Sequence, residues 1–117
     1  MKGLVAIVAS ALALAAAGAA DAAAIHLVAA PGTVSPGAFV RVSTTSSPCR
    51  AGDQATLISA AYPGHAFGIG AVYGKVGKHG AFSVRARIRR GLHAGRYHVS
   101  VRCGGGNLPV LAYFHVR

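Results

Sequence analysis

The sequence predicts an all-β fold, an antiparallel β-sandwich of about seven strands that follows a cleavable signal peptide. Three observations lead to this class. After position 25, apolar and polar residues alternate with a period of two. Glycine or proline interrupts that alternation at intervals of roughly eight to twelve residues. No segment of this part shows the period of an amphipathic helix.

Residues 1–24 predict a secretory signal peptide. A cationic start precedes an apolar run at 4–17 that ends in small residues. This run of roughly 14 residues is shorter than the about 20 that span a membrane. We expect cleavage after Ala24, or after Ala22 if the upstream A-x-A site is used, and a retained membrane anchor is the alternative. One domain then remains at 25–117.

The strands of this domain follow from alternation along the chain. The apolar faces, in order, are Ala38, Val40 and Val42; Phe67, Ile69, Ala71 and Tyr73; Phe82, Val84, Ala86 and Ile88; Tyr97, Val99, Val101 and Cys103; and Val110, Ala112, Phe114 and Val116. A further strand at 54–60 has no clear inward face. The glycine-flanked segment 77–80 is predicted to be a hairpin loop, and 91–95 and 104–107 are predicted turns.

Composition excludes several classes of enzyme. The chain has 117 residues, 12 Lys+Arg and 2 Asp+Glu, with a formal net charge of +10. Without residues 1–24, Asp53 is the only carboxylate side chain, so paired-carboxylate catalysis cannot be assembled. A Ser-His-Asp triad would need Asp53, which lies in a turn signal. We therefore expect a protein that is not an enzyme and needs no cofactor.

The two cysteines, Cys49 and Cys103, predict a disulfide bond. They are even in number, and export places them in an oxidising compartment. Closing a loop of about 55 residues stabilises a fold by roughly 4 kcal/mol in the chain-entropy model. Two buried free thiols are the alternative.

Several segments resemble small secreted immunoglobulin-like domains common in actinobacteria. They are Pro36–Val42, the isolated Cys49, Ala55–Ser59, Gly80–Val84 and Ala94–Cys103, which reads A-G-x-Y-x-V-x-V-x-C. The resemblance implies an exported immunoglobulin-like β-sandwich on or near the cell envelope, in which Tyr97 caps the core and Cys103 bridges to the opposite sheet. A weaker similarity, around Gly80–Gly91, is to neocarzinostatin-type chromophore-binding apoproteins, which carry two disulfides and are acidic.

Six histidines raise the question of a metal site. His98 and His115 share the outward parity of two strands that could be neighbours. A stable site normally needs three or four ligands. We therefore expect solvated surface histidines and no metal.

The basic residues supply the remaining functional signal. Arg85, Arg87 and Arg89 share one strand face, and His98 and Arg102 share the same parity of the next strand. If these strands pair, they form an anion-binding patch for teichoic acids, anionic lipid headgroups, extracellular DNA or acidic polysaccharide. The alternative is a surface that only keeps the sheet soluble, with arginine content that reflects codon usage.

These observations predict a secreted, non-catalytic interaction module of the cell envelope or extracellular space. Its partners would be anionic envelope polymers or another extracellular protein, without specific nucleic-acid recognition. The alternative is a small-ligand or chromophore carrier that uses a cleft of the sandwich.

Overall fold

The computed structural model describes residues 25–64 and 69–117, so the predicted signal peptide lies outside the described residues. The described chain is all-β, which confirms the predicted class. Its strands are β1 (Val28–Ala30), β2 (Thr33–Val34), β3 (Phe39–Thr44), β4 (Gln54–Ile58), β5 (Ala71–Lys75), β6 (Phe82–Arg87), β7 (Gly95–Cys103), β8 (Gly106–Asn107) and β9 (Ala112–Val116). One 3-10 turn lies at Lys78–Gly80. In this part of the chain, no helix is long and apolar enough to cross a membrane.

The strands form two sheets. The three-stranded sheet has the order β1-β3-β6, and the six-stranded sheet has the order β2-β9-β7-β4-β5, with β8 paired to β7. Neighbouring strands run antiparallel, except that β2 runs parallel to β9. The predicted antiparallel arrangement therefore holds for every pair but this one.

The inward faces of both sheets contribute to one hydrophobic core. The alternation along β6 and β9 places apolar side chains inward and polar ones outward, as predicted. The largest fully buried side chains include Val40 and Val42 of β3, Leu57 of β4, Val99 and Val101 of β7, and Phe114 of β9. On β4, where the pattern left the inward face open, Ala55 and Leu57 are the buried residues. Burial of such side chains is the main favourable term in folding.

The described chain crosses between the sheets five times, at 31–32, 35–38, 45–53, 76–81 and 88–94. The prediction of a hairpin at 77–80 is therefore wrong, because β5 and β6 belong to different sheets. The local turn is tight, since the Gly77 N–H donates to the Ala81 carbonyl at 2.8 Å. Glycine-flanked turns look alike in sequence whether the strands that follow pair with each other or separate.

The predicted strand across 66–76 is shorter than expected. It begins at Ala71, and the predicted position of Phe67 lies outside the described residues. Tyr73 is exposed, whereas Val72 packs against the core. Gly74 lies against Val84 of β6 so closely that a side chain there would collide with it. The inner face of β5 therefore carries a glycine where it approaches β6 most closely.

The predicted disulfide is confirmed. Cys49 and Cys103 are bonded, with a Cα–Cα distance of 5.7 Å. Cys103 ends β7, but Cys49 lies in the 45–53 loop and not in a strand of the opposite sheet. The bond therefore joins a crossing loop to the six-stranded sheet.

Candidate anion-binding surfaces

The predicted basic patch is divided between two surfaces. Strands β6 and β7 do not pair, because β6 pairs with β3 and β7 pairs with β9 and β4. Arg85 and Arg87 lie on the outer face of the three-stranded sheet, whereas His98 and Arg102 lie on the outer face of the six-stranded sheet. The assumed pairing is wrong, and anion binding by these residues stays a prediction.

Three arginines and one aromatic ring lie close together on the outer face of the three-stranded sheet. The register of β3 and β6 places Arg41 beside Arg85 and Phe39 beside Arg87. The guanidinium carbons of Arg85 and Arg87 lie 3.7 Å and 4.5 Å from the centroid of the Phe39 ring. Contacts of this kind are cation–π interactions. We call Arg41, Arg85 and Arg87 the arginine cluster.

Neutral groups hold this cluster in place. Arg41 Nη1 donates to Ser83 Oγ at 2.8 Å, and Arg87 Nη1 donates to the Gly37 carbonyl at 2.9 Å. These partners orient the guanidinium groups without neutralising them. The sequence does not predict Arg41 as part of this surface, because its position next to β6 depends on pairing between distant segments.

Arg89, for which anion binding stays a prediction, makes hydrogen bonds within the protein. It follows β6, and its Nε and Nη2 donate to the Ala60 carbonyl at 3.1 Å and 2.8 Å. Its backbone N–H also donates to the Ala61 carbonyl at 2.8 Å. Arg89 therefore joins the end of β6 to the loop after β4 and lies outside the arginine cluster.

The outer face of the six-stranded sheet carries two exposed tyrosines with cations nearby. Arg96 lies over the Tyr113 ring at 4.0 Å, and His98 is the cross-strand partner of Tyr113. Arg102 and Tyr73 flank Thr56 in one row across β7, β4 and β5. Tyr73 and Tyr113 are 53% and 45% exposed. The cations of this face are therefore divided between two tyrosines, with Arg96 and His98 near Tyr113 and Arg102 in the row of Tyr73.

The two histidines considered for metal binding are neighbours on this face. His98 lies opposite Tyr113, and His115 lies opposite Arg96 on the paired strand. A guanidinium beside His115 opposes the approach of a cation. The described residues contain no group of three or more His, Cys, Asp or Glu side chains that could hold a metal ion.

Asp53 is the only acidic residue in the described part of the chain. Its backbone N–H donates to the Arg50 carbonyl at 3.1 Å, and its own carbonyl accepts from the Val76 N–H at 2.9 Å. The residue precedes β4 and lies close to Gly104 in the turn after β7. Its backbone bonds fit the turn role that its position in the sequence indicated.

Tyr62 is a buried titratable group in the loop after β4. Its side chain is 1% exposed, and its hydroxyl has no hydrogen-bond partner among the described residues. Burial raises the pKa of this hydroxyl above its ordinary value, because the charged form would lose its solvation. Gly70 packs directly on the Tyr62 carbonyl and leaves no room for a side chain.

Comparisons with known proteins add evidence on the fold. No family model matches the chain, and no curated protein matches it. One similar solved structure is the Pseudomonas fluorescens alkylpurine DNA glycosylase AlkC bound to DNA containing an abasic site analog, with 21% identity and a TM-score of 0.51. The similarity covers 79% of this chain and 29% of the glycosylase chain. This chain thus spans under a third of that protein, and the likeness concerns the fold alone.

Proposed function

We propose that residues 25–117 form a secreted, non-catalytic immunoglobulin-like module that binds an anionic polymer of the cell envelope. The arginine cluster is the observation that carries this proposal. The guanidinium groups of Arg85 and Arg87 contact the Phe39 ring, and Arg41 lies beside Arg85. The described chain has only one carboxylate side chain, Asp53. The formal net charge of +10 adds a long-range attraction for polyanions.

The order of the strands supports the immunoglobulin-like part of the proposal. In such domains, strands A, B and E share one sheet, and strands C, F and G share the other. Here β1, β3 and β6 lie together, and β4, β7 and β9 lie together. Assigned in chain order, these strands match the two groups.

A tyrosine at the start of β7 gives further support. The Tyr97 hydroxyl donates to the His93 carbonyl at 2.8 Å, four residues upstream. Immunoglobulin-like domains carry such a tyrosine corner near the start of strand F. The chain has no tryptophan, and Cys49 lies in a loop. We therefore propose that the domain has the immunoglobulin-like strand order but lacks the tryptophan and the strand-to-strand disulfide of an antibody domain.

The disulfide and the first 24 residues together support secretion. Disulfides form and persist in oxidising compartments outside the cytosol, and Cys49 and Cys103 are bonded. The apolar run at 4–17 has the length and flanks of a signal peptide. Each observation is independent of the other, and both lead to the same compartment.

The geometry of the arginine cluster suits phosphate or carboxylate groups. Arginine presents five N–H donors in a planar fork that can bind an anion with two parallel hydrogen bonds. The described bonds of Arg41 and Arg87 each use one nitrogen, which leaves donors for an anion. Repeated anionic groups on one polymer could contact several of these forks together, which raises affinity.

Retention on immobilised poly(glycerol phosphate) teichoic acid tests the proposal. The Arg41→Gln/Arg85→Gln/Arg87→Gln variant should elute at clearly lower salt than wild type, because exposed attractions are screened within about 8 Å at physiological ionic strength. A variant with lysine at all three positions keeps the charge but loses the fork, and should elute between the two. Elution of wild type and the glutamine variant at the same salt would contradict the proposal.

The alternative function is a carrier that holds a small ligand between the two sheets, and the packing of the core gives it less support. Buried side chains from both sheets form one core cluster there, including Val42, Leu57, Val101 and Phe114. A ligand would therefore need a site outside the core.

A further inference from the structure

A cleft of about 720 Å³ opens at one end of the three-stranded sheet. Val28, Ser43 and Ser83 form one row across this sheet, on its outer face, and all three line the cleft. The wall beyond them comes from the 76–81 loop and the end of β5. The volume lies in the range of about 300–1,000 Å³ that is typical of small-molecule sites.

The cleft combines a cationic side with an apolar one. Lys75, Lys78, His26 and His79 line it, and no Asp or Glu is among its lining residues. Val28, which is 52% exposed, is also part of the lining, together with Phe82. Apolar surface with a few well-placed polar groups is the usual composition of a ligand site.

The loop that carries Lys78 and His79 is held by hydrogen bonds from Ser47 in the 45–53 loop. The Ser47 N–H donates to the His79 carbonyl at 3.1 Å, and Ser47 Oγ donates to the Gly80 carbonyl at 2.6 Å. Ser47 Oγ also accepts from the Cys49 N–H at 3.2 Å. Because Cys49 is bonded to Cys103, the cationic wall is tied to the six-stranded sheet.

His79 has a backbone conformation that is uncommon for its residue type. Its φ is +62°, in the left-handed region, which only a few per cent of non-glycine residues adopt. Gly80, also at positive φ, packs so closely on Ser47 that no side chain fits. The loop is therefore preorganised, and preorganisation reduces the entropy lost on binding.

We propose that this cleft binds a small amphipathic anion, an aliphatic chain that ends in a carboxylate. The carboxylate lies toward Lys75 and Lys78, and the chain lies along Val28 and Ala81. The complementary charge and the apolar lining select this class over a cationic or fully polar ligand. The site goes beyond the polymer-binding proposal, because it uses none of the residues of the arginine cluster.

Calorimetric titration with dodecanoate, below its critical micelle concentration, tests the site. We expect saturation at one molecule per chain, and affinity should fall by roughly fourfold for each buried methylene removed in a series down to butanoate. Dodecyltrimethylammonium has the same chain and the opposite charge, and should bind at least tenfold more weakly. Equal binding of the two amphiphiles, or titration without a saturating stoichiometry, would overturn the proposal.

Two variants locate the site. Lys75→Gln/Lys78→Gln should weaken dodecanoate binding by roughly tenfold, whereas Arg90→Gln/Arg96→Gln, which removes the same charge elsewhere, should change it less than twofold. Val28→Ser should reduce the dependence on chain length. Equal losses in the lysine pair and the arginine pair would show that net charge alone attracts the ligand, and would reject the cleft.

A separate comparison distinguishes this proposal from the polymer-binding one. The Arg85→Gln/Arg87→Gln variant, which keeps the Arg41 bond to Ser83 at the cleft wall, should bind dodecanoate within twofold of wild type. If polymer retention fails while dodecanoate still saturates at one site, the cleft stands without the polymer proposal. If dodecanoate binding falls with the arginine cluster, the ligand lies on the open sheet face and the cleft is rejected.

Discussion

On the outer face of the three-stranded sheet, Arg85 and Arg87 share the single ring of Phe39, whereas on the outer face of the six-stranded sheet Arg96 covers Tyr113. Arg102 lies in another row of that second face, with Tyr73. Both faces derive their cations from the same alternating pattern. They differ in density, since one concentrates positive charge around one residue and the other spreads it across the sheet.

This difference shows how strand pairing decides which cations lie close together on a sheet. Arg85 and Arg87 alone would form a line of charge along β6. Pairing with β3 adds Arg41 and brings the Phe39 ring into contact with both Arg85 and Arg87. A concentrated cluster can hold neighbouring anionic groups of one polymer together, whereas dispersed cations offer mostly long-range attraction.

The largest expected effect comes from breaking the covalent link between the 45–53 loop and the six-stranded sheet. Replacement of both cysteines, Cys49→Ser/Cys103→Ser, should lower the free energy of unfolding by about 2–5 kcal/mol, the usual cost in a small secreted domain. Urea denaturation measures it, and wild type in strong reductant should approach the variant. A loss under about 1 kcal/mol would show that hydrogen bonds and packing alone hold the 45–53 loop.

A stabilising change is expected at Tyr62. Tyr62→Phe keeps the ring in the core and removes a buried hydroxyl that has no partner in the described residues, so the free energy of unfolding should rise by about 1–2 kcal/mol. Tyr73→Phe, at an exposed position, should change it by under about 0.5 kcal/mol. A lower stability of Tyr62→Phe would mean that the hydroxyl has a partner after all.

The same residue sets an alkaline limit on stability. Burial raises the pKa of the Tyr62 hydroxyl above the ordinary value of about 10, so the folded state holds the phenolic proton more tightly than the unfolded state. The contribution that this tighter proton binding makes to the free energy of unfolding is fully present below about pH 10. It is lost as the pH rises beyond that value, because the unfolded state releases the proton first. Denaturation between about pH 9 and 11 should show a steeper decline for wild type than for Tyr62→Phe. Parallel slopes would exclude this linkage.

A smaller effect separates structural arginines from those of the cluster. Arg89→Gln removes two hydrogen bonds to the Ala60 carbonyl and should lower stability by about 1 kcal/mol. Arg85→Gln should remain within about 0.5 kcal/mol of wild type, and thermal unfolding of the two variants measures the difference. Polymer retention should respond in the opposite order. A variant of Arg89 that is stable but loses retention would place Arg89 in the binding surface.

Alternation was sufficient to predict the inward and outward residues of most strands. Val40 and Val42, or Val84 and Ala86, are buried as their spacing indicated, because a half-buried strand must place every second side chain in the core. The disulfide was predicted because only two cysteines exist. These inferences depend on local pattern and composition alone.

The candidate surface was predicted only in part, because pairing partners lie far apart in sequence. Arg41 and Arg85 are neighbours through the β3–β6 register, whereas β6 and β7 are consecutive but belong to different sheets. The assumption that consecutive strands pair therefore placed His98 and Arg102 on the wrong surface. The strand order implied by the immunoglobulin-like resemblance separates strands E and F and could have prevented this error.

We propose that the arginine cluster on the three-stranded sheet, and not the net charge of the protein, accounts for binding of the polymer. Two charge-matched variants test it most directly, Arg85→Gln/Arg87→Gln and Arg96→Gln/Arg102→Gln, by measuring the Kd for soluble poly(glycerol phosphate) at physiological salt. The first pair should weaken binding by about tenfold or more, a loss of about 1.4 kcal/mol, and the second by about twofold. Equal losses from the two faces would contradict the account.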